Sequence, residues 1–239
     1  MKKILIIFVA GILFNFVASA KVSESKKVIQ INLSHQLNAR SVTILSDGKL
    51  VTWTKGIDGN GDGDGYLTKS ASVFNGDINL NALPDNPLFA ADDKHPQVLL
   101  HYSNKDSESK QTVAITHAGN FSFDVPSNHY TSLFFALTSS EGASQIKVTL
   151  NYSDGIELKS MEVPDYYMDI SAENTDWCYL AHNLAKWGKM NQMTEKDHHN
   201  IDLWNIHPNP NRRLKSIQIE KSEAGYLVFW AVTGVVKQD

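Results

Sequence analysis

The stretch QIKVTLNYSDGIELKSMEVPDYY, Gln145–Tyr167, decides the fold. Apolar and polar side chains alternate along it before an Asp-Gly pair, Asp154 and Gly155, and apolar residues return after the pair. Alternation with a period of two is typical of a half-buried β-strand, and Asp-Gly tolerates the positive φ angles of a tight turn. The stretch therefore predicts an antiparallel β-hairpin.

Similar patterns recur on both sides of this hairpin. Asp47 and Gly48 separate two apolar runs in SVTILSDGKLVTWT, which predicts a second hairpin. Further strands are predicted in the runs VIQINL, QVLLHY, QTVAI, FSFDV, SLFFALT, LKSIQI and GYLVFWAVTGV. SLFFALT is continuous enough to be buried on both faces. Short strands with Gly, Asn and Asp between them predict an all-β protein, a two-sheet antiparallel jelly-roll sandwich of roughly nine to eleven strands.

One segment departs from the β pattern. In WCYLAHNLAKWGKM, Trp177–Met190, apolar residues recur at steps of three and four, and Gly188 is a natural helix stop. This spacing predicts one short helix near residues 178–188, with a long loop as the alternative. The polar residues 191–200 that follow are predicted to form a loop.

The first twenty residues have the pattern of a signal peptide. Lys2 and Lys3 precede an apolar run, and Ala18-Ser19-Ala20 is a cleavage pattern. We expect residues 1–20 to be removed and residues 21–239 to form a single domain that is exported to the periplasm or the extracellular space. The alternative, an uncleaved membrane anchor, is disfavoured because a spanning helix needs roughly 20 apolar residues.

Composition narrows the classes of partner. The chain has 239 residues and a formal net charge of −4, so it has no overall attraction to nucleic acid or to anionic lipid. Its single cysteine, Cys178, excludes an internal disulfide, and nothing around it matches a nucleophile motif. The predicted domain must be stabilised by packing, with or without a bound ion.

The acidic loop, GIDGNGDGDGY at residues 56–66, has an oxygen-bearing side chain at every second position. Asp58, Asn60 and Asp62 match the opening of a calcium-binding loop, but Lys69 stands where an EF-hand has its closing acid. Three interpretations stay open: a simpler Ca²⁺ site on these three residues, a solvated turn without a ligand, and hydrogen bonding of Asp62 or Asp64 to a ligand hydroxyl.

Aromatic residues near predicted loops indicate a binding rim. They are Tyr66, Tyr166, Tyr167, Trp177, Trp187 and Trp204, whereas Trp53 and Trp230 lie in strand patterns and are predicted to be core residues. Exposed rings offer flat apolar faces to sugar rings, and neighbouring Asp, Asn and His side chains can bond the hydroxyls. The predicted ligand-binding residues are Asp64, Tyr66, Asp165, Tyr166, Trp177, His182 and Trp187.

The order of these motifs resembles the galactose-binding-like β-sandwich modules of bacterial secreted proteins. The matching stretches are DGNGDGDGY, then LFFALTSSEGASQIKVTLNYSDGIELKSMEVPDYY, then LKSIQIEKSEAGYLVFWAVTG. The resemblance implies a jelly-roll fold and carbohydrate-related binding. It places Asp58, Asp62, Asp64 and Tyr66 in the acidic-aromatic loop, and Asp165 with Tyr166 in the acid-aromatic pair after the hairpin.

Three functions are compatible with the sequence. The first is a non-catalytic protein that binds a glycan or glycoconjugate through loops at one end of the sandwich. The second is an exported glycoside hydrolase, which needs two suitably spaced carboxylates. Its candidate acids are Asp58, Asp62, Asp64, Asp165 and Asp176. The third is an adhesin or effector that binds a protein through the same loops.

Overall fold

Antiparallel strands dominate the structure, a computed structural model that describes residues 27–59, 63–78 and 81–237. The predicted signal peptide and two of the predicted calcium ligands, Asn60 and Asp62, lie outside these ranges. The strands are β1 Lys27–Gln30, β2 Val42–Ser46, β3 Lys49–Val51, β4 Tyr66–Leu67, β5 Leu88–Phe89, β6 Val98–Leu99, β7 Val113–Ile115, β8 Gly119–Asn128, β9 Tyr130–Ser140, β10 Ser144–Tyr152, β11 Gly155–Val163, β12 Trp177–Gly188, β13 Gln192–Ile206, β14 Leu214–Lys221 and β15 Tyr226–Val236. A short helix, α1, spans Lys69–Phe74.

Two of the sheets form a sandwich. Sheet I has the order β1-β15-β9-β13-β12, with β7 also paired to β15, and sheet II has the order β11-β10-β14-β8. From β8 onward the chain alternates between the two sheets, except where the hairpins β10–β11 and β12–β13 keep two strands together. This connectivity is that of a jelly roll, so the predicted all-β sandwich is confirmed.

Both predicted hairpins form. Asp47 and Gly48 have φ angles of 49° and 73° and connect Ser46 to its partner Lys49. In the second hairpin β10 pairs with β11 in continuous register from Ser144 to Tyr152. These turns set the alternation of inward and outward side chains in the flanking strands.

The inner core lies between the two sheets. Its members come from both, as expected when the apolar faces of two sheets pack together. They include Phe135, Leu137, Val148, Leu150, Ile217, Ile219 and Phe229.

A second, outer core covers the opposite face of sheet I. The chain between β1 and β8 supplies the cover, and the members of this core include Val42, Tyr66, Leu100, Tyr102, Ala136, Leu203 and Trp230. Every residue of β15 is buried as a result. The predictions that Trp230 is a core residue and that SLFFALT is buried on both faces are confirmed.

Arg40 holds part of this covering segment in place. Its side chain is fully buried, and its guanidinium donates to the carbonyls of Asp106 at 2.7 Å and Ser109 at 2.5 Å. It also donates to the carbonyls of Thr52 and Asn104, both at 3.3 Å. A buried cation is tolerated where several oxygens replace its water.

The predicted helix near residues 178–188 is wrong, because this segment is strand β12. Its pairing with β13 shifts register between Tyr179 and Ala181, between Ala181 and Leu184, and again before Lys186 and Trp187. Each bulge inserts an extra residue, so apolar side chains that share one face recur at steps of three rather than two. The spacing that imitates a helical period comes from these bulges. The loop predicted at residues 191–200 is also wrong, since β13 begins at Gln192.

A buried acid interrupts the interior of sheet I. Asp202 on β13 is fully buried, pairs in register with Leu137, and has no hydrogen-bond partner for either carboxylate oxygen among the described residues. Burial raises the pKa of this carboxyl to about 8. The folded state therefore favours the protonated, neutral form at neutral pH.

We predict that Asp202→Asn removes a pH-dependent loss of stability. The pKa of Asp202 is about 8 in the folded state and about 3.9 in the unfolded state. The wild-type side chain therefore contributes fully to the free energy of unfolding below about pH 4, and this contribution is lost as the pH rises from about 4 to about 8. The advantage of the variant in free energy of unfolding should grow by about 1.4 kcal/mol per pH unit between roughly pH 4 and 8.

Urea denaturation at several pH values measures this difference. Asp124→Asn, at an exposed position of β8, is the matched control and should track the wild type. Parallel pH profiles for Asp202→Asn and the wild type would contradict the prediction.

Candidate functional site

Lys186 lies at the centre of a polar cluster near the end of β12. Its ammonium nitrogen, Nζ, is 2.8 Å from Oε1 of Glu195, 3.0 Å from Oδ2 of Asp58 and 3.6 Å from Oδ2 of Asp64. The Lys186 side chain is 8% exposed, whereas that of Glu195 is 42% exposed. The cluster therefore has a buried cation and an acidic rim that reaches solvent.

Two tyrosines complete the Lys186 cluster. Nζ of Lys186 donates to the hydroxyl of Tyr166 at 3.1 Å and to that of Tyr167 at 3.2 Å. The Tyr166 hydroxyl donates onward to Asp58 at 3.0 Å, and the Tyr167 hydroxyl donates to Glu195 at 2.9 Å. The two rings stack with their centroids 4.5 Å apart. The hydroxyl and carboxylate oxygens around Lys186 are thus arranged to stabilise its positive charge.

The electrostatics of the cluster keep its charges in place. Burial alone would lower the pKa of Lys186, but hydrogen bonds to Glu195, Tyr167 and Asp58 outweigh it and raise the pKa above its ordinary value. Burial alone would raise the pKa of Glu195, but hydrogen bonds from Lys186 and Tyr167 lower it. A permanently protonated lysine is a poor nucleophile, and an ionised glutamate is a poor general acid.

The described ends of the acidic loop, residues 56–59 and 63–66, are hydrogen-bonded to each other beside Lys186. Oδ1 of Asp58 accepts a hydrogen bond from the backbone N–H of Asp64 at 2.7 Å, and the N–H of Ile57 donates to the Asp64 carbonyl at 2.6 Å. A side chain at Gly56 would collide with the Asp64 backbone, and one at Gly63 would collide with Asp58. Gly56 and Gly63 therefore allow the backbone on the two sides of the loop to approach closely.

Asp165 supports the cluster without joining it. Its carboxylate accepts hydrogen bonds from the backbone N–H groups of Gly142 at 2.9 Å and Tyr167 at 3.2 Å. The N–H of Tyr166 donates to the Ser139 carbonyl at 2.7 Å. These bonds fix the turn that aims both tyrosine rings at Lys186.

The structure separates the predicted site residues. Asp58, Asp64 and Tyr166 meet at the Lys186 cluster. Tyr166 is 3% exposed, so the prediction that its ring belongs to an exposed rim is wrong. Tyr66 and Trp187 are fully buried, so the prediction that their rings belong to an exposed rim is wrong.

Tertiary packing explains why Tyr66 and Trp187 are buried. Tyr66 stacks on Trp230 in the outer core, with ring centroids 6.0 Å apart. Trp187 packs in a small third core with Leu67 and Ala71, and its indole N–H donates to Asp77 at 3.1 Å. Trp204, also expected beside a loop, is 8% exposed and packs in the inner core.

Four members of the cluster were not predicted to be site residues. They are Lys186, Glu195, the fully buried His199, and Tyr167, which was named as an aromatic residue of the binding rim but not as a ligand contact and is 45% exposed. The His199 ring lies 4.8 Å from the ring of Tyr166, its Nδ1 is bonded to the Leu184 carbonyl at 2.8 Å, and its pKa is lowered chiefly by burial. A lysine flanked by apolar residues in AKWG is the one local signal that sequence reasoning could have used.

No group of three or more His, Cys, Asp and Glu side chains in the described ranges is arranged as metal ligands. In the Lys186 cluster the ammonium lies among the carboxylates of Asp58, Asp64 and Glu195, where its positive charge meets theirs. The Ca²⁺ site stays a prediction, since Asn60 and Asp62 are outside the described residues.

An open pocket lies at the other end of β12. It has a volume of about 470 Å³ and is lined by residues that include Asp93, Lys94, Phe134, Asn174, Asp176, Trp177, Tyr179 and Asn205. Trp177, the first residue of β12, is half-buried and stacks on Trp204 with ring centroids 6.2 Å apart and planes 14° apart. We call this the Trp177 pocket.

Hydrogen bonds within the protein hold polar groups in place around the Trp177 pocket. The backbone N–H of Asn205 donates to the Asp176 carbonyl at 2.7 Å, and Nε2 of His207 lies 3.3 Å from Oδ1 of Asp176. The Tyr179 hydroxyl accepts from the N–H of Ile170 at 2.7 Å. An indole floor is thereby combined with carboxylate, amide and hydroxyl groups.

The stacked side chains of Tyr179 and His182 extend the pocket surface along β12, in the direction of Lys186. The exposed ring of His182 stacks on Tyr179 with centroids 4.3 Å apart, and its Nε2 lies 4.0 Å from Oδ1 of Asp169. His182 and Trp177 are therefore the two predicted ligand contacts that lie on or near the open pocket.

Comparison with known proteins adds little. No protein-family model matches the chain, and no curated protein matches it. Among solved structures, TmCBM61 in complex with β-1,4-galactotriose is similar over 56% of this chain and 74% of its own, with 12% sequence identity and a TM-score of 0.23. A superposition this loose carries no weight for the fold or the ligand of this protein, and both rest on the geometry above.

We predict that Lys186→Met destabilises the fold by about 3–5 kcal/mol, because it leaves buried carboxylate and hydroxyl groups without their cation. Chemical denaturation measures the loss. Lys215→Met, at an exposed position of β14, removes the same charge from the surface and should change stability by less than about 0.5 kcal/mol. Equal effects of the two substitutions would show that the cluster contributes nothing beyond surface charge.

Proposed function

We propose that this is an exported, non-catalytic protein that binds a glycan or glycoconjugate in the Trp177 pocket. The observation that carries the proposal is the half-buried indole of Trp177, fixed by stacking on Trp204 in a pocket of about 470 Å³ bordered by polar side chains. Flat apolar surface beside hydrogen-bonding groups is the combination that sugars require, because their rings have apolar C–H faces and polar edges.

The size and charge of the pocket favour a neutral or weakly charged ligand. A volume of this order falls within the roughly 300–1,000 Å³ of small-molecule sites. Asp93 and Lys94 bring opposite charges to one side, and Asp176 and His207 are already paired with each other. Balanced polar groups of this kind suit hydroxyls better than they suit a phosphate or a polyanion.

The surroundings of the pocket favour an extended glycan. A second depression of about 210 Å³, lined by residues that include Asp169, Ser171 and Asn174, also borders Trp177. The His182–Tyr179 stack continues the surface beyond it. A single sugar would contact part of this surface, so affinity should increase with chain length.

Neither Glu195 nor Asp202 has the properties of the general acid of a glycoside hydrolase. A glycoside hydrolase needs a carboxyl group that is protonated near neutral pH, and the pKa of Glu195 is instead lowered by its bonds to Lys186 and Tyr167. Asp202 has the raised pKa expected of such an acid, but it is fully buried. Hydrolysis is the competing function, and turnover of chromogenic glycosides would reveal it.

We predict that Trp177→Ala weakens glycan binding by roughly tenfold or more, because the stacking face is lost, a change of about 1.4 kcal/mol. The ligand is first identified on a glycan array with the wild-type protein, and isothermal titration then measures affinity. Asp176→Asn, which leaves Trp177 in place, should also weaken binding by removing a charged hydrogen-bond acceptor.

Phe74→Ala is the matched control, since Phe74 is an exposed aromatic residue of α1 and should not affect sugar affinity. Failure of the wild-type protein to bind any glycan or polysaccharide would contradict the proposal. Turnover of chromogenic glycosides that disappears in Asp176→Asn would favour the hydrolase.

We further propose that Ca²⁺ binds the acidic loop through Asp62, Asn60 and a carboxylate oxygen of Asp58. An ion held by the folded state alone stabilises it by about 2.7 kcal/mol at a hundredfold excess over the dissociation constant. EDTA should therefore lower the melting temperature of the wild type, Ca²⁺ should restore it, and Asp62→Asn should abolish both effects. Asp124→Asn is the control, and a melting curve indifferent to EDTA would disprove the site.

A further inference from the structure

Large apolar side chains are exposed at the end of the molecule opposite the Trp177 pocket. Met190, in the turn between β12 and β13, is 92% exposed, and Val73 and Phe74 at the end of α1 are 58% and 54% exposed. Ile78, just beyond α1, is 84% exposed. We call these four residues the apolar tip.

Hydrogen bonds hold the two halves of the apolar tip together. The side-chain amide of Asn75, next to Phe74, donates to the Asn191 carbonyl at 2.6 Å, and the Thr43 hydroxyl donates to the Asn191 side chain at 3.3 Å. The turn beside Met190 is therefore tied both to α1 and to β2. The apolar side chains project from a fixed base.

Met190 occupies an unfavourable backbone conformation. Its φ is 63° and that of Asn191 is 54°, which places both residues in the left-handed region that glycine and asparagine tolerate best. A fully exposed methionine at such a position contributes nothing to the core. The strained backbone at Met190 is not offset by burial of its side chain, which indicates that the side chain has a role in contacts outside the folded chain.

Positive charge borders the apolar tip. Lys189 directly precedes Met190, and Lys69 lies one helical turn before Val73; both are exposed and neither forms an ion pair within the described ranges. Two acids lie beside α1. Asp77 has its carboxylate turned to the Trp187 indole and the Asn75 amide, and Asp85 accepts hydrogen bonds from the backbone N–H of Ser70 at 2.9 Å and its hydroxyl at 2.8 Å. Both carboxylates are engaged by hydrogen-bond donors, whereas the two exposed lysine side chains stay available to an anionic surface.

We propose that the apolar tip docks this protein reversibly on an anionic lipid bilayer, an activity independent of the proposed glycan binding. Exposed apolar side chains beside lysines match the acyl chains and the charged headgroups of such a surface. The acidic net charge does not prevent this, because charges more than roughly 8–10 Å away are largely screened at physiological ionic strength. No helix of the described residues is long and apolar enough to cross a membrane.

The projecting shape of the apolar tip favours a bilayer over a protein partner. Separate side chains on a turn and a helix end can each enter the headgroup region, and the bilayer adapts to them. A protein, including a second copy of this chain, would have to present a groove complementary to all four. Self-association is therefore treated as a competing outcome.

Co-sedimentation with vesicles tests the proposal. The wild-type protein should bind vesicles of phosphatidylcholine mixed with phosphatidylglycerol, and the double variant Phe74→Ser/Met190→Ser should bind at least roughly tenfold more weakly. Lys69→Glu/Lys189→Glu should remove the preference for phosphatidylglycerol. The matched control is Ile156→Ser/Leu158→Ser, at positions of β11 that are 59% and 52% exposed, and it should bind like the wild type.

Thermal melting shows that each variant is folded, and sedimentation velocity reports self-association. The proposal is overturned by a wild type that binds no vesicles, by equal binding of the Phe74/Met190 variant, or by an equal loss in the Ile156/Leu158 control. It is also overturned if the apolar tip instead forms a dimer that the Phe74/Met190 variant disrupts. Sugar affinity should be the same in all these variants, which keeps this test separate from that of the glycan site.

Discussion

Burial of sheet I on both faces is the constraint from which the rest of the structure follows. A jelly roll needs apolar residues on one face of each sheet, but β15 has every residue buried because the chain between β1 and β8 covers the second face. That segment has little regular structure of its own. It is held by apolar contacts with sheet I and by the buried guanidinium of Arg40, which donates hydrogen bonds to the carbonyls of Asp106 and Ser109.

The sandwich could be predicted because its signals are local. Alternating residues in β10 and the positive φ angles at Asp47 and Gly48 act within a few positions of the chain. The extra layer could not be predicted, since the same apolar runs fit either a simple sandwich or one with a covered outer face. Strand β12 was misjudged because its bulges give apolar steps that periodicity alone cannot distinguish from a helix.

The Lys186 cluster shows a different limit of sequence reasoning. Its carboxylates come from the acidic loop and from β13, and its hydroxyls come from the turn after β11, so only the tertiary fold brings them to one cation. The acidic loop was identified as a candidate site from the sequence, but its two described acids, Asp58 and Asp64, are turned to a lysine that the sequence did not point to. Trp177 and His182 were predicted as ligand contacts, Trp177 as an aromatic residue near a predicted loop, but the pocket beside Trp177 depends on Asp93 and Lys94 from the distant covering segment.

The hairpin β12–β13 sets the geometry between the two surfaces. Trp177 opens the first strand and Met190 lies in the connecting turn, so the two residues are separated by a strand of twelve residues, roughly 35 Å or more in length. Since both strands are packed into sheet I, this length is fixed. A molecule docked by this turn would hold the Trp177 pocket about one strand length away from the docking surface.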